Sequence, residues 1–200
     1  MKGEPFMWKD RFCQPIRDLL ADDAWLVAEE GYHPREQIVY ESIFCLASGY
    51  MGSRASAEEG FCRRTLPANY INGVFDRSEA FQRELANTPD WCKLKMYYQC
   101  EPIAPEEGNT PEDYLRVLDM QHGLLAKRYV TQAADGRRTK VEILKFLSRA
   151  HGWCGGFKVW LTPLNYGGLL EFENIIDATV TNFIDFPRFR VKHIRTTDLR

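Results

Sequence analysis

No run of about 18 apolar residues occurs in this chain, so no stretch has the length of a membrane-spanning helix. The opening Met1-Lys2-Gly3-Glu4-Pro5-Phe6-Met7-Trp8 has no apolar core and does not read as a secretory leader. The expectation is a cytoplasmic protein with no membrane partner. Charge of one sign is lacking too: 26 basic residues stand against 28 acidic ones, a net of −2, where nucleic-acid proteins show a basic excess. Cys13, Cys45, Cys62, Cys92, Cys100 and Cys154 include no Cys-x-x-Cys, which excludes a zinc ribbon or dithiol redox motif and predicts reduced, mostly buried thiols. His33, His122, His151 and His193 have neither His-x-His nor His-x-x-x-His spacing, so no metal site is expected. Gly49-x-x-Gly52 lacks the Lys-Ser/Thr that completes a phosphate-binding loop. Internal repeats and low-complexity tracts are missing.

What is present is apolar material in short periods. Hydrophobic residues make up 44% of 200 positions, enough for a substantial core in one β domain or two small ones. In residues 1–23, Trp8, Phe12, Ile16, Leu19 and Leu20 have helical spacing, but Pro15 interrupts it, which predicts an irregular lead-in with short turns. Strands are predicted over Ala24–Ala28 and Gln37–Ala47. Asn69–Asp76 reads either as a tight Asn72-Gly73 turn or as one bulged strand. Pro89 makes Glu84–Trp91 a connection into the next strand. In Cys92–Cys100, Cys92, Leu94, Met96, Tyr98 and Cys100 alternate with Lys93, Lys95, Tyr97 and Gln99, and Glu101–Glu112, with three prolines, reads as a solvated loop. Tyr114–Met120 and Leu124–Thr131 flank a turn at Gln121-His122-Gly123, and Asp135-Gly136 is a second hairpin signal. Val141–Ser148 is apolar on both faces, as in a strand between two layers. Gly156–Thr162, Leu169–Ile176 and Phe189–Ile194 complete the set. Trp91 and Trp160 read as core. The fold class is all-β, a large antiparallel sandwich.

The stretch Ile38–Gly60 joins a predicted strand to a shaped loop. Gly49 and Gly52 permit unusual backbone and close approach. Tyr50 and Met51 offer apolar area at the loop tip, or fold inward over the core. Arg54 and the pair Glu58-Glu59 follow, read either as an internal Arg54–carboxylate bridge or as the polar rim of an interface or ligand loop.

These residues resemble the start of the N-terminal domain of glycoside hydrolase family 65. Glu41, Phe44, Gly49, Tyr50, Gly52, Arg54, Glu58 and Glu59 match its pattern Glu-x-x-Phe-x-x-Gly-Asn-Gly-Tyr-x-Gly-x-Arg-Gly and the acidic residues beyond it. Ala47-Ser48 replaces Gly-Asn, and Ala55 replaces Gly. Further matches follow in order: Tyr70 to Asp76, Glu84 to Trp91, the hairpin after Leu118-Asp119, Lys145-Phe146-Leu147-Ser148 and Asp177 to Asn182. The resemblance implies a galactose-mutarotase-like supersandwich over residues 1–200, truncated at its C-terminal end, with the helical linker and (α/α)6 catalytic barrel absent from the chain. It implies a parent phosphorylase of maltose, trehalose or kojibiose, acting with inversion, using inorganic phosphate as substrate and no cofactor. A trehalose hydrolase of the same family and a stand-alone carbohydrate-binding or interaction module are the alternatives. The implied partners are the missing barrel, a second subunit in a homodimer and the parent's disaccharide.

No catalytic residue transfers, because the family's acid lies in the barrel. Could the chain supply its own acid pair? An inverting enzyme needs two carboxyl groups facing one substrate. Glu29-Glu30, Glu58-Glu59 and Glu106-Glu107 are adjacent, and neighbours on a strand point to opposite faces, so solvated surface is the expected role, with Glu58-Glu59 a partial exception because it follows the glycine loop and Arg54.

Overall fold

A computed structural model describes residues 7–60, 65–77, 83–105, 110–184 and 189–191. The lead-in forms a 3₁₀ turn at Trp8–Arg11, one helical turn α1 (Gln14–Arg17) and a second 3₁₀ turn at Asp23–Trp25. Pro15 lies in the first turn of α1, where its missing N–H costs nothing, and the helix stops there. Then come β1 (Leu26–Glu30), α2 (Gln37–Ile43), β2 (Leu46–Ala47), β3 (Met51–Ser53), β4 (Asn69–Asp76), β5 (Glu84–Thr88) and β6 (Asp90–Tyr98). β7 (Glu101–Pro102), β8 (Glu112–Asp119), β9 (Leu124–Gln132), β10 (Arg138–Leu147), β11 (Gly155–Pro163) and β12 (Glu171–Asp177) follow, and β13 (Asn182–Ile184) pairs with β14 (Phe189–Val191).

The antiparallel sandwich expected from the sequence is present. Its main sheet has five strands in the order β1-β8-β9-β10-β11, and it is opposed by β12-β6-β7 and by β2-β3-β4-β5. Period-two alternation divides the main sheet into two faces. Val117, Ala126 and Leu144 are aligned on the outer face, and there Phe12, Ile16 and Leu20 of the lead-in cover them. Each such side chain contributes about 1.5–3 kcal/mol by leaving water. The inner face carries Tyr114, Tyr129, Val141 and Ile143 against Met96 and Ile103, and Leu125 and Leu147 against Phe44, Leu46 and Ala55. β10 is therefore buried on both faces along most of its length, as its pattern predicted. Trp91 and Trp160 are half-buried and pack on these clusters.

Five local expectations are corrected. Gln37–Ile43 is a helix, not the start of a strand. Its inward side is polar, with Gln37 and Glu41 buried and Phe44 completing the 3–4 spacing. Its β-branched residues face out: Ile38, Val39 and Ile43 are 43%, 58% and 50% exposed. Strand propensity pointed at the outside of the element. The strand read to Cys100 ends at Tyr98, because Gln99 and Cys100 take φ of 51° and 65° and form the two-residue turn into β7. Glu84–Thr88 is itself a strand paired with β4, and Ile103 and Ala104 of the supposed solvated loop are buried. Of the five described cysteines only Cys92 is buried, and none is paired.

Asn69–Asp76 is one strand whose register slips between Tyr70 and Phe75, with Gly73 at φ 83°, which decides for the bulge. Cys62, Glu106-Glu107 and the end of the last predicted strand, Lys192–Ile194, lie outside the described residues, as do residues 1–6 of the lead-in. Among the described residues no helix is long and apolar enough to cross a membrane, and no cluster of three His, Cys, Asp or Glu is placed to hold a metal.

Candidate functional site

Ser48–Met51 is a tight turn between β2 and β3. Ser48 N donates to Met51 O at 2.9 Å, and Met51 N donates to Ser48 Oγ at 3.1 Å. Gly49 takes φ 88°, which a side chain rarely adopts. Gly52 has no such need: it lies within β3, opposite Ala47 and Tyr70, with open space where a Cβ would point. Tyr50 is 46% exposed at the tip, and its Cβ abuts Gly152 so closely that an added Cβ there would come within 2.8 Å. Met51 turns inward onto the cluster of Phe44, Leu46 and Leu125. The two tip residues thus divide between the two roles read from the sequence.

Arg54 is fully occupied inside the domain. It donates to Leu66 O at 3.1 Å, Ser42 Oγ at 2.6 Å and Ile38 O at 2.8 Å, and lies 3.5 Å from the buried Glu41 carboxylate. An Arg54–carboxylate bridge does exist, but its partner is Glu41, one helical turn away from the α2 carbonyl that Arg54 also binds. Glu41 in turn accepts from Thr65 Oγ1 at 2.5 Å and Leu66 N at 3.0 Å.

Glu58 and Glu59 form neither a rim nor a solvated surface. Both are buried. They sit in a turn, not on a strand, so the alternation rule does not separate them, and both reach one cation. Lys127 Nζ donates to Glu58 Oε2 at 2.5 Å and to Glu59 Oε1 at 2.8 Å. Tyr129 donates its hydroxyl to Glu59 at 2.7 Å, and Lys145 Nζ lies 3.2 Å from Glu58 Oε1. Strand register assembles the rest: Glu29, Arg116 and Lys127 stand side by side on β1, β8 and β9. Arg116 Nε is 2.9 Å from Glu29 Oε2, a close ion contact without hydrogen-bond alignment. Its other nitrogens donate to Ala55 O at 3.1 Å, Gln37 Oε1 at 3.0 Å and Tyr114 OH at 2.8 Å. Glu29 is thus buried, while Glu30 on the opposite face is exposed. Surface exposure fails for three of the four described members of the acidic pairs.

Three carboxylates, Glu29, Glu58 and Glu59, face three cations, Arg116, Lys127 and Lys145. Burial pushes the Glu58 carboxyl up, but Lys127 and Lys145 outweigh it and hold it at about 2. Burial works to lower Lys127, yet Glu58 and Glu59 keep it above the ordinary lysine value. Glu29 is raised by burial despite Arg116. Burial also drives the Tyr114 hydroxyl up to about 12. The cavity beside these groups, bounded by Tyr32, Gln37, Glu59, Arg116 and Lys127, has a volume of about 20 Å³. That is room for one water, not a sugar ring. The cluster is chemically a clamp: it joins α2, the Ala55–Glu59 segment and four strands, β1, β8, β9 and β10, through charge-assisted hydrogen bonds and close ion pairs.

Glu58, Glu59 and Arg54 stand out in the sequence as site candidates and Glu29 only as one of an acidic pair, whereas Lys127, Lys145 and Arg116 do not stand out as site candidates at all. A signal existed. Lys127 sits between Leu125 and Tyr129, and Lys145 between Ile143 and Leu147, on strands whose other face is also largely apolar. A cation with no wet face must meet an anion inside.

Comparison with known proteins follows the same outline. The model of "Glycosyl hydrolase family 65, N-terminal domain" matches residues 27–198. A kojibiose phosphorylase of Thermoanaerobacter brockii is 35% identical over 192 residues, covering 96% of this chain and 24% of its own length. One from Caldanaerobacter subterraneus subsp. tengcongensis is 38% identical over 180 residues, with 90% and 23% covered. An alpha,alpha-trehalose phosphorylase of Thermoanaerobacter brockii is 25% identical, with 84% and 23% covered. The solved structure of a putative kojibiose phosphorylase from human microbiome superposes with TM-score 0.57 at 24% identity, over 66% of this chain and 19% of that one, and shares the fold. The chain spans about a quarter of the length of the curated phosphorylases it matches.

Proposed function

The chain belongs to glycosyl hydrolase family 65, as its N-terminal domain, and from this we propose that it is the non-catalytic sandwich of a cytoplasmic disaccharide phosphorylase acting on kojibiose or a related α-glucoside. The carrying observation is the pairing of two coverages: nearly all of this chain aligns with kojibiose phosphorylases, yet it makes up only 24% and 23% of two of them. Inverting phosphorolysis needs a carboxylic acid to protonate the leaving oxygen while phosphate attacks the other face, by analogy with inverting hydrolysis. The clustered carboxylates here support an acid located elsewhere: Glu58 and Glu59 are tied to Lys127, and the space beside them admits no sugar. Inorganic phosphate enters as substrate, and no cofactor is needed.

In this reading the domain holds the catalytic barrel in place and contributes to a homodimer. The Gly49–Tyr50 tip is its contact, with Met51, Gly52, Arg54, Glu58 and Glu59 serving as the internal support that fixes the tip. The test uses the 200-residue chain and the longer polypeptide that carries it, each incubated with kojibiose and phosphate. The longer protein releases β-glucose 1-phosphate, the product inversion of an α-glucoside gives, and the chain alone releases none. Tyr50→Ala lowers activity or subunit assembly in the longer protein and leaves the isolated chain's melting temperature within a few degrees. Glucose 1-phosphate formed by the repurified chain alone overturns the proposal.

A further inference from the structure

We infer that the cleft at the β9–β10 hairpin end of the main sheet is a binding site for a neutral saccharide. It lies at the opposite end of β10 from the turn that touches the Tyr50 tip. Its volume, about 790 Å³, falls within the range of small-molecule clefts, roughly 300–1,000 Å³. Tyr98 from the end of β6 and Tyr166 from the segment after β11 form one wall, their rings edge to face with centroids 4.6 Å apart. Tyr98 donates its hydroxyl to Gly167 O at 3.2 Å, and the Tyr166 hydroxyl shares a 2.7 Å hydrogen bond with Thr139. The Arg137 guanidinium lies over the Tyr98 ring at 4.4 Å and within 5.8 Å of Tyr166. Ile103 and Val130 supply apolar floor. These groups hold one another, so little side-chain freedom remains to be lost when a ligand enters.

The charges choose the ligand class. Arg137 is bound to Glu101 at 2.6 Å and to Asp135, and Arg138 is bound to Glu112. Of these charged groups Glu101, Glu112 and Arg137 line the cleft, and two carboxylates against one guanidinium leave it slightly acidic, which repels phosphate and nucleotides. A wholly apolar ligand would strip water from these ions without replacing it. A saccharide does neither. Its hydroxyls donate to carboxylates and accept from guanidinium groups at once, and its C–H faces suit aromatic walls. Aromatic rings and forked ionic groups in one rigid cleft are what a polyhydroxylated ring requires. Binding here involves no bond cleavage and does not depend on the phosphorylase reading.

The experiment is an amide NMR titration of the 200-residue chain with kojibiose, maltose and trehalose, and separately with inorganic phosphate. At least one sugar shifts the amides of Gly136, Arg137 and Gly167 with a dissociation constant on the order of millimolar or tighter. Arg137→Ala and Tyr166→Ala each weaken that binding by about tenfold, with amide dispersion elsewhere preserved. Should either variant lose its fold, Glu112→Gln on the exposed rim replaces it, with a smaller weakening of about threefold expected. Absence of any shift up to about 50 mM sugar, shifts confined to other regions, or a response to phosphate alone each overturns the proposal. Phosphorolysis by the longer polypeptide survives all three outcomes, so its fate is judged separately.

Discussion

The two faces of the five-stranded sheet are sealed in different ways. On the outer face the lead-in lays Phe12, Ile16 and Leu20 over Val117, Ala126 and Leu144, and the buried Glu142 and Asp119 beside them accept only the backbone N–H groups of Cys13 and Ala21 from it. On the inner face Lys127 and Lys145 stand among Leu125, Tyr129 and Ile143 and bind Glu58 and Glu59, while Arg116 pairs with Glu29 beside them. Apolar contact is non-directional and tolerates substitutions that conserve volume. A buried ion network is directional: it gains little net free energy when complete and loses much when one member is removed. The outer seal therefore supplies adhesion. The inner one dictates where α2 and the Ala55–Glu59 segment must sit, and through them the Ser48–Met51 turn.

The sharpest way to break that contrast is one shape-conserving change on each face. Lys127→Met keeps length and most of the volume but leaves Glu58 and Glu59 without their shared cation, and should cost about 3–5 kcal/mol. Leu144→Met on the same sheet should cost under about 1.5 kcal/mol. Urea denaturation at neutral pH measures both. Equal losses would mean that the inner charges behave like any other core residue.

How much of this was legible in the residues depends on which partner each one meets. The hairpin around Gln121-His122-Gly123, the Asp135-Gly136 turn and the two-faced burial of β10 are local, because period and turn chemistry carry them. The Ile38–Ile43 segment was misread because its β-branched residues face outward, while Gln37 and Glu41 point in to meet Arg116, Thr65 and Arg54. Those contacts are distant in sequence. Around Glu58-Glu59 the nearest cation in sequence is Arg54, which makes an Arg54 bridge or a polar rim the local reading, and nothing nearby announces Lys127 almost seventy residues on. Gly49 has the backbone need that its place in the loop suggests, with φ at 88°. Gly52 carries no backbone need that the structure reveals.

Acid should sharpen the comparison, with a smaller effect. Glu58 is held at about 2 against an ordinary 4.5. Its folded value lies below its unfolded one, so its contribution is complete above about pH 4.5 and is lost as pH falls toward 2. Glu29 is raised and works the other way, favouring the fold on the acid side, which blunts the slope. Asp177 is also held at about 2: burial pushes it up, but Lys93 and Thr179 prevail. It is a second depressed carboxylate outside the network. Urea midpoints measured from pH 5 to pH 2 should fall steeply in the parent chain. Glu58→Gln, though less stable at neutral pH, should fall less, and Asp177→Asn should flatten the slope too, by a smaller amount. A Glu58→Gln profile parallel to the parent would locate the acid sensitivity elsewhere.

The smallest effect concerns the thiols, and it reports whether the inner layer is sealed. Cys92 lies on that layer, buried, with Lys145 Nζ 3.8 Å from its sulfur. Burial pushes its thiol up to about 12 even with Lys145 pulling the other way. Only the thiolate reacts with alkylating agents, so at pH 8 about one molecule in ten thousand would be reactive at that position even if it were accessible. Cys45, just after α2, and Cys100, in the turn after β6, are both exposed. Iodoacetamide labelling read peptide by peptide should therefore modify Cys45 and Cys100 first and reach Cys92 only through opening of the inner layer. If opening is the route, the Cys92 rate follows the stability of that layer. Lys127→Met should accelerate it by a large factor, Leu144→Met should barely change it, and neither should alter Cys45 labelling. Native Cys92 reacting as fast as Cys45, or Leu144→Met matching Lys127→Met, would show that the charged face is no tighter a closure than the apolar one.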